Sequence, residues 1–140
     1  TTTTTIDMSP TYLNWARRNL ELNGLRGYEL VRADCMEWLA QPRRERYGVI
    51  FLDPPTFSNS KRMKRDFDVQ RDHVELIAKT AALLEDDGAL VFSNNYRRFR
   101  LDKDRFPDLI IEDITRQTIP VDFERRPKIH NCWKITKAPT

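Results

Sequence analysis

Residues 47 to 55 read YGVIFLDPP, and this stretch decides the predicted fold. The run from Tyr47 to Leu52 is almost continuously apolar, which is typical of a central parallel strand buried on both faces. The run ends at Asp53, and the two prolines that follow fix the backbone φ angle and remove two N–H donors. We therefore predict a buried strand whose carboxyl end carries a rigid turn rich in hydrogen-bond acceptors.

Short β-rich runs alternate with amphipathic helices on both sides of this strand. The alternation indicates βαβ units, so we predict an α/β fold with a doubly wound, mostly parallel sheet and an antiparallel closing strand. The predicted strands span residues 2–6, 28–32, 47–52, 89–93, 114–119 and 129–136. The predicted helices span residues 35–40, 68–84 and 102–111, after a first helix that begins at Pro10 and stops at Asn23-Gly24.

The composition excludes several classes of protein. A chain of 140 residues with 39% apolar and 32% charged residues suits one globular domain. No apolar run approaches the roughly 18 residues of a membrane-spanning helix, and no leader sequence is visible. The two cysteines, Cys35 and Cys132, are far apart and outside any CxxC spacing, so we expect no disulfide framework, no metal site and a cytoplasmic location.

Polar and basic residues follow the predicted strands. Because the carboxyl ends of parallel strands share one edge, these residues should line one crevice. The polar groups are Asp7, Asp34, Asp53-Pro54-Pro55 and Asn94-Asn95-Tyr96. The cations that leave this edge, and that we expect to contact RNA phosphates, are Lys61, Arg62, Lys64, Arg65, Arg97 and Arg98. A third basic cluster lies at residues 125–128, and any one such cluster is more often a solvated loop.

The acidic residues suit a nucleoside ligand. A carboxylate after an early strand, here Asp7, commonly accepts hydrogen bonds from both ribose hydroxyls. Asp34 would accept from the amine of an adenine, with Met8 or Cys35 against the ring. The alternative is that Asp7 only caps a helical turn and that Asp34 has no ligand. After the two prolines, Phe57 would stack on a flat base.

Several motifs together resemble the class I S-adenosylmethionine-dependent methyltransferases. They are Asp7, Asp34, DPPTFSNSKRM at 53–63, DVQRDH at 68–73, FSNN at 92–95 and IHNCW at 129–133. The resemblance runs from about residue 3 to residue 136. It is strongest to the C-terminal module of the bifunctional 23S ribosomal RNA guanine methyltransferases of Gram-negative bacteria.

The resemblance implies methyl transfer from S-adenosylmethionine to N7 of a guanine in 23S ribosomal RNA. It assigns cofactor binding to Asp7, Met8, Asp34, Cys35 and Asp53, and the methyl-transfer site to Asp53, Pro54, Pro55 and Phe57. No general base is needed at N7, so we interpret His73 and His130 as structural. Guanine N2 methylation, cytosine C5 methylation through a thiolate, and a non-catalytic RNA-binding module remain as alternatives.

The chain departs from this family at its beginning. A first strand and a glycine-rich turn are expected before the strand that ends at Asp7, and the four glycines form no cluster. We therefore expect residues 1–140 to form a single methyltransferase domain that is incomplete at its N-terminal side. It would belong to a larger polypeptide, be inactive alone, and expose strand edges through which it could dimerise.

Overall fold

The structure is a computed structural model that describes residues 1–59, 61 and 64–140. These residues form two units, Thr1–Pro42 and Arg43–Thr140. None of the helices in the described ranges is long and apolar enough to cross a membrane.

The first unit is a βαβα segment. Its elements are β1 (Thr3–Asp7), α1 (Pro10–Leu22), β2 (Tyr28–Arg32) and α2 (Cys35–Ala40). Strands β1 and β2 are parallel, and their register runs from Thr3 opposite Tyr28 to Asp7 opposite Arg32. Ser9 caps α1, because its hydroxyl accepts from the backbone N–H of Tyr12 at 3.2 Å, and Pro10 takes the first helical position. These predicted elements are confirmed.

The second unit contains a four-stranded sheet in the order β3-β6-β8-β7. Its main elements are β3 (Tyr47–Leu52), α3 (Val69–Ala81), β6 (Leu84–Asn94), β7 (Leu109–Asp113) and β8 (Asn131–Lys137). β3 and β6 are parallel, whereas β8 runs antiparallel to both β6 and β7. The α/β class and the antiparallel closing strand are confirmed, and the sheet of this unit is mixed.

The core of the second unit lies between α3 and the inner strands β6 and β8. Leu76 and Ile77 of α3 and Leu90 and Ile135 of the sheet are almost fully buried. Burial of such side chains is the main stabilising contribution, at about 1.5–3 kcal/mol each. Next to them lie the rings of Phe92, Phe99, Trp133 and His73.

The prediction that β3 is buried on both faces is wrong. Val49 is 75% exposed and Phe51 is 69% exposed, and within the described residues β3 pairs with β6 alone in its sheet. An apolar run is compatible with burial on two faces, but neighbouring elements decide whether both faces are covered. One face of β3 is therefore open in this chain.

Helix α3 ends at Ala81 and β6 begins at Leu84, so the predicted helix end at 84 and strand start at 89 are both wrong. The early strand start is stabilised by a hydrogen bond from Tyr47 N to Leu83 O at 2.8 Å. Gly88 lies inside this strand. A Cβ atom there would be 3.0 Å from the carbonyl oxygens of Tyr47 and Gly48, so the close approach of the two backbones requires glycine.

Two elements near the C-terminus were predicted incorrectly. Residues 102–111 form a short 3-10 turn, Lys103–Arg105, followed by β7, because Pro107 cannot continue a helix and disfavours helical geometry at Phe106. The predicted strand 114–119 contains another 3-10 turn, Arg116–Thr118. The observed strand β7 ends at Asp113, whose carboxylate accepts from the backbone N–H of Thr115 at 2.9 Å and turns the chain.

The loop that follows Pro55 is closed by a small clasp, defined as β4 (Phe57–Ser58) paired antiparallel with β5 (Phe67–Asp68). Val69 N donates to Thr56 O at 3.0 Å, which ties the clasp to the first turn of α3. The clasp thus holds the two ends of the loop together and restrains the turn that follows β3.

A buried carboxylate, Asp72, holds this clasp in place. It accepts from Arg65 at 2.8 Å, from two nitrogens of Arg71 at 2.9 and 3.1 Å, and from the backbone N–H of Asp68 at 2.9 Å. Burial by itself raises the pKa of Asp72, but the hydrogen bonds from Arg71 and Asp68 and the charge of Arg65 outweigh it and lower the pKa overall. The ionised carboxylate is therefore the favoured state in the folded protein.

We expect Asp72→Asn to lower the free energy of unfolding by about 2 kcal/mol at pH 7, because Arg65 and Arg71 lose the buried charge that they share and keep only the more exposed carboxylates of Glu75 and Asp66. The lowered pKa stabilises the fold above the unfolded-state pKa, and this contribution is lost as the pH falls through the folded-state pKa. The difference between variant and parent should therefore shrink below about pH 4. Urea unfolding across this pH range measures it.

Glu75→Gln is the matched control. Glu75 pairs with Lys79 at 2.7 Å and lies 3.8 Å from Arg65, but its side chain is 46% exposed, so we expect a change of no more than about 0.5 kcal/mol. Equal destabilisation by both variants would contradict the role given to Asp72.

Candidate functional site

In the first unit, Asp7 and Asp34 follow the carboxyl ends of two neighbouring parallel strands. Ala33 N donates to Asp7 O at 3.1 Å, which joins the two strand ends. One oxygen of Asp7 accepts from Ser9 N at 2.7 Å, and one oxygen of Asp34 accepts from Met36 N at 2.8 Å and caps α2. Both carboxylates therefore have a local capping role, and in each the second oxygen is an acceptor that these bonds do not use.

Met8 follows Asp7 directly, Cys35 follows Asp34 and begins α2, and both are half-buried. Burial raises the pKa of the Cys35 thiol to about 11, and the negative charge of Asp34 adds to the shift. The thiol is thus neutral at physiological pH. A thioether and a neutral thiol are suitable neighbours for an aromatic ring but poor nucleophiles.

In the second unit, Asp53 lies at the carboxyl end of β3 and is exposed. One of its oxygens accepts from the hydroxyl of Ser93 on β6 at 2.9 Å, so the ends of the two parallel strands are joined by their side chains. Pro54 is half-buried, Pro55 is exposed and Phe57 is 54% exposed. The turn therefore presents a restrained carboxylate and an accessible aromatic ring at one edge of the sheet.

Asn94, the next residue on β6, contributes a feature that the sequence did not reveal. Its side-chain oxygen accepts from Tyr96 N at 3.0 Å and from Asn131 Nδ2 at 3.2 Å. Because a backbone N–H can only donate, this bond fixes the orientation of the amide. Its Nδ2 is then a buried donor with no partner among residues 1–59, 61 and 64–140. The signal in the sequence was only that Asn94 follows a strand.

The first basic cluster is only partly available for binding. Lys61 and Lys64 are exposed, Arg62 lies outside the described residues, and Arg65 forms an ion pair with Asp72 at 2.8 Å. Arg65 was predicted to contact RNA, and the structure gives it a role in holding the clasp. Arg97 and Arg98 of the second cluster are exposed.

The second basic cluster, which contains Arg97 and Arg98, meets the third basic cluster, residues 125–128. A cleft of about 350 Å³ is lined by Arg97, Arg126, Pro127, Lys128 and Ile129. The sequence showed residues 125–128 to be basic but did not assign them a ligand. The sequence did not show that β6 pairs antiparallel with β8. This pairing places Arg97, which follows β6, beside residues 126–128, which precede β8.

The two histidines have structural contacts. His73 is buried, its Nε2 accepts from Asp102 N at 3.1 Å, and its Nδ1 lies 2.9 Å from Gln70 O, to which it donates. His130 Nε2 lies 2.9 Å from the hydroxyl of Thr118. Each unit thus gathers its own group of candidate residues, and the meeting of Asp7 and Asp34 with Asp53 stays a prediction.

Comparisons with known proteins relate this chain to methyltransferases, although no family model matches it. Ribosomal RNA large subunit methyltransferase K/L of Methylococcus capsulatus is 58% identical over 137 residues, which are 95% of this chain and 19% of the relative. The same-named protein of Allochromatium vinosum is 54% identical over 136 residues, 95% of this chain and 18% of that protein. This chain therefore spans about a fifth of the length of these relatives.

Solved structures share the fold at low sequence identity. The structure of SMU.776 complexed with SAH matches with a TM-score of 0.77 and 21% identity, over 96% of this chain and 38% of that one. The SAM-dependent methyltransferase of Agrobacterium tumefaciens matches with a TM-score of 0.70 and 16% identity, over 97% and 49%. The resemblance seen in the motifs is confirmed: the chain has an α/β fold found in methyltransferases and is similar, over 95% of its length, to one segment of ribosomal RNA large subunit methyltransferase K/L.

Proposed function

We propose that this chain is part of a larger methyltransferase that transfers a methyl group from S-adenosylmethionine to N7 of a guanine in 23S ribosomal RNA. The identity of 58% to ribosomal RNA large subunit methyltransferase K/L carries this proposal. The restrained turn Asp53-Pro54-Pro55 and the accessible Phe57 also support it, because they provide hydrogen-bond acceptors and an aromatic ring that could bind a base. Ribosomal RNA as substrate also implies a cytoplasmic protein.

The first unit would hold the cofactor. The carboxylate oxygen of Asp7 that the bond from Ser9 does not use suits the ribose hydroxyls, and the corresponding oxygen of Asp34 suits the amine of the adenine. Met8 and the neutral thiol of Cys35 would contact the adenine ring. The donor and acceptor chemistry of these residues therefore fits S-adenosylmethionine, which supplies an electrophilic methyl group when bound.

The second unit would hold the target base. Phe57 is exposed enough to stack on a purine, and the proline carbonyls and the Asp53 carboxylate can accept from its N–H groups. The hydrogen bond from Ser93 restrains Asp53 before any ligand arrives. Such prior restraint lowers the entropic cost of aligning two reactants, which contributes roughly 7–11 kcal/mol in well-oriented systems.

N7 is the favoured atom because its lone pair is already available and no proton has to leave first. Both ring nitrogens of His73 are used in structural bonds, and His130 bonds to Thr118. Methylation of guanine N2 would require removal of a proton from an amine. Thr56 also separates Pro55 from Phe57, which departs from the usual spacing of amine methyltransferases.

Cytosine C5 methylation is the weaker alternative, since it needs a thiolate nucleophile. Burial raises the pKa of Cys35 to about 11 and also raises the pKa of Cys132. Both thiols are therefore protonated at neutral pH.

We propose that β3 is completed by a strand from the rest of the larger polypeptide. β3 has one neighbour in the described sheet, and Val49 and Phe51 on its open face are exposed. An unpaired strand edge beside exposed apolar side chains favours association. The 140-residue chain by itself would then bind cofactor poorly, be inactive, and dimerise through this edge.

We expect Asp53→Ala in the larger polypeptide to lower kcat for methyl transfer at least about 100-fold, because the base loses its restrained acceptor. RNA affinity should change less than about threefold, since Asp53 contributes no positive charge. Transfer of tritiated methyl groups to ribosomal RNA and filter binding measure the two effects. A wild-type protein that binds RNA but transfers no methyl group would favour the non-catalytic binding module.

We expect Asp7→Asn to weaken cofactor binding about tenfold. The amide oxygen still accepts from Ser9 N, so the local turn is kept, whereas the charged acceptor for the ribose is lost. Calorimetry of the larger polypeptide with S-adenosylhomocysteine measures this change. The exposed Asp104→Asn serves as the control for charge. An unchanged dissociation constant in Asp7→Asn would limit Asp7 to its capping role.

We expect Cys35→Ala, and Cys132→Ala in a separate variant, to keep methyl transfer within about threefold of the parent, because N7 transfer needs no thiolate. Initial rates at saturating cofactor test this. Loss of turnover in either variant, together with a covalent complex between the parent protein and 5-fluorocytosine-containing RNA, would establish C5 chemistry instead.

A further inference from the structure

We propose that the cleft lined by Arg97, Arg126, Pro127, Lys128 and Ile129 binds the sugar-phosphate backbone of the substrate RNA strand, on nucleotides next to the target base. We call it the basic cleft. The inference rests on the proposed function for the identity of the strand, and it adds a site for phosphates that is separate from the turn at Asp53.

The sheet register builds the basic cleft. Asn94 at the end of β6 is opposite Asn131 at the start of β8, so the residues after β6 and the residues before β8 are neighbours. Asn131 Nδ2 donates to Tyr96 O at 2.8 Å, which joins the two segments directly. Arg97 follows this bond on one side, and Lys128 precedes it on the other.

The backbone on both sides of the basic cleft is held by hydrogen bonds. Phe99 N donates to Tyr96 O at 3.0 Å on the first side. Arg126 N donates to Phe123 O at 2.8 Å, and Ile129 N donates to Arg126 O at 3.2 Å, on the second. The turns are therefore fixed while the cationic side chains extend into solvent, so binding does not have to order the backbone first.

The positive charge of the basic cleft is not neutralised by the protein. In the part of the chain that the structure describes, Arg97, Arg126 and Lys128 have no carboxylate within ion-pair distance, and no acidic residue lines the cleft. Arg65 and Arg71 differ from them, because both are paired with Asp72. Unpaired cations that converge on one concave surface favour a polyanion.

The shape of the basic cleft favours an RNA strand over a free anion. A volume of about 350 Å³ is at the small end of ligand sites, which hold about 300–1,000 Å³, and exceeds the need of one phosphate group. Pro127 and Ile129 add an apolar wall suited to a sugar or a base face. Two arginines supply forked donors that match phosphate oxygens.

The position of the basic cleft connects it to the target base. Because β3 and β6 are parallel, Asp53 and Asn94 lie at the same edge of the sheet, and Ser93 bonds to Asp53 there. The first residue that lines the basic cleft, Arg97, comes three residues after the end of β6 at Asn94. A strand held in the cleft can therefore present a nucleotide to the turn at Asp53.

The test replaces the three cations together, as Arg97→Gln, Arg126→Gln and Lys128→Gln, in the larger polypeptide. Filter binding to a single-stranded fragment of 23S ribosomal RNA is measured from about 50 to 300 mM salt. With about 0.7 counterions released per phosphate on a single strand, the slope of log affinity against log salt should fall by about 2. Affinity should fall about tenfold or more, and KM for RNA should rise while kcat stays within about threefold.

The control variant carries Arg44→Gln, Arg105→Gln and Arg116→Gln, which remove the same charge at exposed positions outside the cleft and outside the three basic clusters. Its slope and KM should stay close to those of the parent. A cleft variant with the slope and KM of the parent, and with the parent's circular dichroism, would overturn the proposal. If the parent transfers no methyl group but the cleft variant still loses the salt slope, the proposed function fails and the basic cleft stands as an RNA site.

Discussion

The pairing of β6 with a strand on each side is the constraint on which the site in the second unit depends. Parallel pairing with β3 brings Ser93 to Asp53, a residue 40 positions away in sequence. Antiparallel pairing with β8 brings Asn131 to Asn94, over 37 positions. Groups from three distant segments therefore meet at one end of the sheet. Their mutual positions are set by the backbone register of the sheet, because a slip of one residue would turn every side chain to the other face.

Arginines of this chain differ in whether a carboxylate lies beside them in the fold. Arg65 and Arg71 surround the buried Asp72, where ion pairing and hydrogen bonds outweigh the cost of burial and hold the clasp to α3. Arg97 and Arg126 lie on a concave surface with no carboxylate beside them in the described residues. Charge counted along the sequence does not separate these groups, because the separation arises from tertiary contacts.

Structural features that depend only on residues close together in the sequence could be predicted. The strand-turn-helix units around Asp7 and Asp34 depend on capping and periodicity, which a sequence displays directly. The exposure of Val49 and Phe51 could not be predicted, because an apolar run reports what a strand can bury and not which neighbours it has. Pro107 was a visible signal against the predicted helix 102–111, because proline cannot continue a helix.

The residues of the site in the second unit are suited to holding a ligand in a fixed position rather than to transferring protons. The Asp53 carboxylate is restrained by Ser93, His73 uses both ring nitrogens within the core, and burial keeps the Cys132 thiol protonated. Reactions that depend on a proton relay or a thiolate would lack a carrier among these groups. A reaction that joins an available lone pair to an electrophilic methyl group depends mainly on alignment, and the sheet register and the clasp fix the positions of the groups proposed to hold the base. These properties of the site therefore support the proposal of transfer to N7 over transfer that needs a base or a thiolate.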